Sequence, residues 1–84
     1  MKWTVIYRPA AKRRLATLWL DAVNKQEVTD AADLIDQVLL TSPLTAGESR
    51  EGNTRLLIVP PLAVLFDVYP DDRLVDVVYV QKCR

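Results

Sequence analysis

Apolar residues along this chain recur first at a period of two, then at the 3.6-residue period of a helix, then at two again. The opening Lys2-Trp3-Thr4-Val5-Ile6-Tyr7 is rich in β-branched and aromatic side chains, which suit a pleated surface, and it stops at Arg8-Pro9. A first strand is predicted there. Pro9 fits the first turn of a helix, where its missing N–H has no partner to lose, and Ala10, Ala11 and the long basic side chains favour helix. Leu15, Leu18, Trp19 and Ala22 follow at i, i+3, i+4 and i+7, which predicts a helix from Pro9 to Val23 with Trp19 in the core. After Asn24-Lys25-Gln26 the same spacing returns at Ala31, Leu34, Ile35, Val38 and Leu39. Thr29 or Asp30 is suited to cap this second helix, Asp30 and Asp33 suit its positive end, and Pro43 stops it. Two amphipathic helices with a short link read as an antiparallel hairpin.

From Thr41 to Asn53 there is little apolar content and both glycines occur, so this is the longest expected loop. Three strand-like runs follow, Arg55 to Val59, Leu62 to Tyr69 and Leu74 to Gln81, separated by Pro60-Pro61 and Pro70-Asp71-Asp72. Links this short predict an antiparallel meander. The expected architecture is α+β, in the order β-α-α-β-β-β, with the helix hairpin on one face of a four-stranded antiparallel sheet that the first strand joins. Leu62, Val64, Phe66 and Val68 share the face that meets the helices. Leu57, Val59, Leu65 and Tyr69 alternate against that set, and with helices on one side only they would form a groove for a partner.

At 84 residues the chain fits one domain spanning 1–84, and a hydrophobic content of 50% is enough for a core. The single cysteine, Cys83, has no partner for an internal disulfide, and no apolar run approaches the ~18 residues that span a bilayer. Both features point to a reducing cytoplasm. Net charge is zero but unevenly placed: residues 1–26 hold six basic residues against Asp21, and 27–54 hold six acidic residues against Arg50. That balance argues against tight, unspecific nucleic-acid binding.

Taken together, Trp3-x-Val5-x-Tyr7-x-Pro9-x-Ala11, Leu15-x-x-Leu18-Trp19, Ala31-Ala32-Asp33-x-Ile35-Asp36-x-x-Leu39, Pro43, Gly47-Glu48-x-Arg50, Arg55-x-Leu57, Pro61-Leu62-x-Val64-x-Phe66-x-Val68 and Asp72-Arg73-x-Val75 resemble the RelE/ParE superfamily of type II toxins, often labelled plasmid stabilisation proteins. Nearly the whole chain is covered. The resemblance implies a toxin neutralised by a cognate antitoxin that wraps over it. It implies one of two modes of action: ribosome-dependent cleavage of messenger RNA in RelE-like members, or inhibition of DNA gyrase by binding in ParE-like members.

Cleaving RNA requires a base for the 2′-hydroxyl, an acid for the leaving oxygen and cations for the phosphorane. The chain has no histidine, which leaves Glu48, Arg50, Arg55, Arg73, Tyr79, Lys82 and Arg84. Arg55 matches the family's arginine at the start of the second strand; it would hold a phosphate or pair with an acidic loop residue such as Glu48 or Glu51. Glu48 is either a general base or a loop anchor, Arg50 likewise, and Tyr79 either orients substrate or packs with a wet hydroxyl. Lys12-Arg13-Arg14 reads as the solvated face of the first helix. No cofactor or metal is called for. The leading expectation is a toxin that acts by binding. Ribosome-dependent cleavage and a decayed relative that keeps only antitoxin binding stand as alternatives.

Overall fold

The computed structural model describes residues 2–83; Arg84, one of the cations weighed above, lies outside them. Strand β1 (Thr4–Tyr7) leads through Arg8 into helix α1 (Pro9–Asp21), which opens on Pro9 as expected. Helix α1 stops two residues before Val23. The Lys25 ammonium donates to the Leu20 and Ala22 carbonyls, which supplies the cation that a helix C-terminus favours. Helix α2 (Lys25–Thr41) begins five residues earlier than a Thr29 cap would place it, because Asn24 is the cap: its side chain accepts from the Glu27 N–H at 3.1 Å. Thr29 lies inside the helix and accepts instead from the Trp19 indole.

The rest of the chain builds β2 (Glu48–Ser49), β3 (Thr54–Val59), β4 (Leu62–Tyr69) and, after a 3-10 turn at Pro70–Asp72, β5 (Leu74–Lys82). The α+β class and the order of the main elements are those expected, with both helices against one face. The sheet itself has five strands rather than four, in the order β1-β5-β4-β3-β2, and is mixed rather than antiparallel. The added strand is β2, a two-residue pairing inside the expected loop. The parallel pair is β1 with β5, with Val5 opposite Val75 and Tyr7 opposite Val77. Its cause is the helix hairpin, which returns the chain to the end where it started: the Trp3 N–H donates to the Leu40 carbonyl at 3.2 Å. Strand β3 therefore runs in the direction of β1, with β5 and β4 between them, and two reversals later β5 runs in that direction again beside β1.

The core lies between this sheet and the helices. Phe66, Val64, Leu62 and Val68 of β4 are buried, as expected, against Ile35, Leu39, Val28 and Ala31 of α2 and Ala11 of α1. In β5 the buried residues are Val75, Val77 and Val80, a spacing that strict alternation does not allow. A bulge resolves it: Leu65 pairs with Tyr79 but Phe66 with Val77, so Val78 is the extra residue and the alternation restarts beyond it. Trp3 is buried beside the first strand, whereas Trp19 is 40% exposed and sits between the helices instead of in the core. No helix among the described residues is long and apolar enough to cross a membrane.

Candidate functional site

The two-residue link Pro60–Pro61 decides which residues face outward. It pairs Val59 with Leu62 and Leu57 with Val64, and directly opposed residues in an antiparallel ladder project to the same side. Leu57 and Val59 therefore pack on the core, on the helix side, contrary to the expected groove set. The outward positions of β3 are Thr54, Leu56 and Ile58, and its two apolar ones lie outside the expected groove set. Leu65 and Tyr69 of β4 do lie on the outer face, both half-buried. The signal was present in the length of the link, which makes odd-numbered residues of β3 share a face with even-numbered residues of β4.

The outer face carries an apolar row that crosses three strands. Leu56, Leu65 and Tyr79 are successive cross-strand partners, and beside them run Ile58 and Ala63. Ile58 is 50% exposed and Tyr79 41% exposed, so this surface is open to contact. Glu48 extends the row at its far side as the partner of Leu56. Toward β1 the surface turns polar. Arg8 donates to Asp76 at 3.0 Å and lies 3.8 Å from Asp67, whose carboxylate also accepts from the Thr54 hydroxyl. The hydrogen bond to Asp76, and then its charge, push the Arg8 guanidinium further up from its ordinary value. Asp67 and Asp76 are largely buried, and an arginine across both offsets the cost of holding two carboxylates out of water.

Of the described residues weighed for RNA chemistry, Glu48 and Arg50 meet, and Arg55, Arg73, Tyr79 and Lys82 do not join them. Arg55 shares the inner side with its partner Phe66, and its guanidinium donates to the Ala46 carbonyl at 2.8 Å and to the Gly47 carbonyl at 3.3 Å. It binds main-chain oxygens of the loop, neither a phosphate site on the outer face nor the acidic loop residues. Glu48 pairs instead with Arg50 at 3.2 Å, both well exposed. Glu48 and Tyr79 share the outer face but stand three strand spacings apart, about 14 Å at ~4.8 Å per strand. Lys82 borders α1 near Asp21 and Leu18, and Arg73 lies over the Trp3 ring at 5.9 Å, so neither cation joins them. Among the described residues no group of three or more metal-type ligands forms.

No family model matches the chain, and no curated protein matches it. Solved structures do. A chain of the RelBE2 toxin–antitoxin complex from Mycobacterium tuberculosis superposes with a TM-score of 0.79 at 15% identity, over 98% of this chain and 92% of that one. A chain of the chromosomal ParDE system from P. aeruginosa gives 0.67 at 15% identity, over 98% and 97%. The isolated RelE toxin of E. coli gives 0.68 at 13% identity, over 98% and 85%. At these identities the likeness is one of fold.

Proposed function

We propose that this chain, which has the fold of the RelE/ParE toxins, is the toxin component of a type II toxin–antitoxin pair that works in the cytoplasm by binding. The observation that carries this reading is the open apolar row Leu56–Leu65–Tyr79 with Ile58 beside it, left uncovered by the helices. An extended or helical antitoxin segment laid across that row would bury aromatic and aliphatic side chains at its centre and meet the Arg8–Asp76 pair at its edge. Complexes of toxin with antitoxin among the structures of this fold support the class of partner. The scattering of Glu48, Arg55 and Tyr79 favours a binding mode of ParE type over ribosome-dependent cleavage of messenger RNA, because acid, base and phosphate-holding groups must converge within hydrogen-bond reach.

The test pairs the chain with the product of the adjacent small reading frame. Expression of the chain alone arrests growth, and co-expression relieves it. Leu65→Asp keeps the far-ultraviolet spectrum but weakens the complex by at least ~100-fold, as expected for a charge forced into the centre of an apolar contact. Glu48→Gln and Tyr79→Phe leave the arrest intact. Codon-linked cleavage of messenger on ribosomes, lost in Glu48→Gln, would overturn the binding mode. A chain that never arrests growth yet still binds the product would leave only the antitoxin partner standing.

A further inference from the structure

The helix side of the molecule holds a cavity that the proposed function leaves unused. Between α1 and α2 runs a groove of about 550 Å³, within the ~300–1,000 Å³ that small organic ligands occupy, and paired helices are one of the places where such sites form. Over most of its length the walls are apolar, with Leu15, Trp19 and Leu20 from α1 and Val28 from α2. Trp19 is fixed there, because its indole N–H donates to the Thr29 hydroxyl across the hairpin at 3.1 Å. The ring is still 40% exposed, so a flat apolar surface is open to the groove.

Polar groups gather at the other end, where the start of α1 lies beside the later turns of α2. Lys12 stands there with Asp33 and Asp36, which share one side of α2 at a spacing of i and i+3. From β1 the Tyr7 hydroxyl donates to one oxygen of Asp36. Burial first, and then that bond, raise the phenol well above its ordinary value, so Tyr7 keeps its proton and orients the carboxylate. The other Asp36 oxygen and the Asp33 side chain have no partner among the described residues, and Lys12 pairs with neither. Two carboxylates against one ammonium leave an excess negative charge at one end of an apolar groove. Lys25 does not balance it, since its ammonium is taken up by the Leu20 and Ala22 carbonyls at the opposite end.

We infer that the groove binds a small organic monocation, an amine carried on an aromatic or branched aliphatic body, with the ammonium at Asp33 and Asp36 and the body lying along Leu15 and Val28 toward Trp19. The cation offsets the excess charge and gives the open Asp36 oxygen a donor, while Tyr7 holds the other oxygen. An anion of the same shape meets two carboxylates, and a neutral analogue leaves them without a partner. Charge thus sets which ligand is chosen, and the apolar walls supply contact area. The site lies across the core from the outer sheet face and does not depend on the antitoxin contact.

Heteronuclear NMR titration of the full chain tests this, read at the Trp19 indole N–H and the backbone amides of α1 and α2. The probe is phenethylamine, with phenethyl alcohol and hydrocinnamate as the neutral and anionic forms of the same body. Phenethylamine shifts the Trp19 signal saturably and binds at least ~10-fold more tightly than either analogue, less so as salt rises. Asp33→Asn, at an exposed helix position, raises its dissociation constant at least ~5-fold, and Lys12→Gln, which removes a like charge, lowers it. Ala16→Phe fills the groove and abolishes binding. Circular dichroism checks that each variant is folded. No saturable shift at ~10 mM amine would overturn the inference. So would equal binding of the alcohol or the acid, Asp33→Asn and Lys12→Gln both without effect, or binding that survives Ala16→Phe.

Discussion

Arg55 shows how one side chain's role turns on the face it occupies. Its guanidinium is directed to the Ala46 and Gly47 carbonyls, and a fork of donors is suited to hold two acceptors at once. Arg55→Lys keeps the charge but not the fork, so it should cost about 1 kcal/mol in urea unfolding, and Arg55→Ala about 1–2 kcal/mol. Growth arrest should persist in Arg55→Lys wherever the protein remains folded; arrest abolished in a fully folded Arg55→Lys would return the residue to the chemistry. Tyr7 offers a second test. Burial first, and then its hydrogen bond to Asp36, raise its phenol well above the ordinary 10.0. The unfolded chain releases that proton near pH 10 while the folded one retains it, so the contribution is complete below pH 10 and declines as pH rises beyond it. Stability measured between pH 9 and 11 should fall less steeply in Tyr7→Phe than in the wild type, and identical slopes would contradict the shift.

At the scale of elements, the loop from Ser42 to Asn53 is held both by the Arg55 side chain and by the backbone conformation at Gly47. Gly47 has φ +62°, and a Cβ there would collide with the Leu56 carbonyl, the oxygen against which β2 packs on β3. Gly52 has φ +57° with open space around it. Gly47→Ala should therefore cost at least ~2 kcal/mol and speed amide exchange in β2 and in β3 near Leu56, while Gly52→Ala costs about 1 kcal/mol for the left-handed backbone alone. Equal costs at the two glycines would mean that the loop is not anchored at Gly47. The helix pattern was legible because α1 and α2 are amphipathic over several turns and proline marks the start of one and the end of the other. The start of α2 was less legible, because Asn24, Thr29 and Asp30 are all good cap residues by type, and the one that caps does so through a local bond to the Glu27 N–H three residues on.

For the whole molecule, the side of the sheet on which a residue lies sets its cost. Phe66 is fully buried at the centre of the β4 face, so Phe66→Ala should cost ~3–5 kcal/mol. That is a large share of what a domain of this size holds in reserve. Leu57 and Ile58 are neighbours in sequence and face opposite ways. Leu57→Asp places a charge against the core and should leave little folded protein at 25 °C, while Ile58→Asp should shift the melting temperature by only a few degrees. A thermal melt of the pair checks the assignment, and a reversed order would show that the strand is out of register.

Local rules were enough for the identity and order of the main elements. Helical periodicity, proline at element ends and runs of β-branched residues act within a few positions, and they require two helices and a strand meander whatever surrounds them. Which strands neighbour one another, and in which direction, depended on where the helix hairpin returns the chain, a matter of three-dimensional path that no local pattern encodes. The faces of Leu57, Val59 and Arg55 depended on cross-strand pairing, and those of Val77 and Val80 on a single bulged residue, since one residue of slip sends a side chain to the other side of the sheet. Tertiary structure thus decided which residues can meet, because a shared face and a reachable distance are properties of the assembled sheet rather than of any stretch within it.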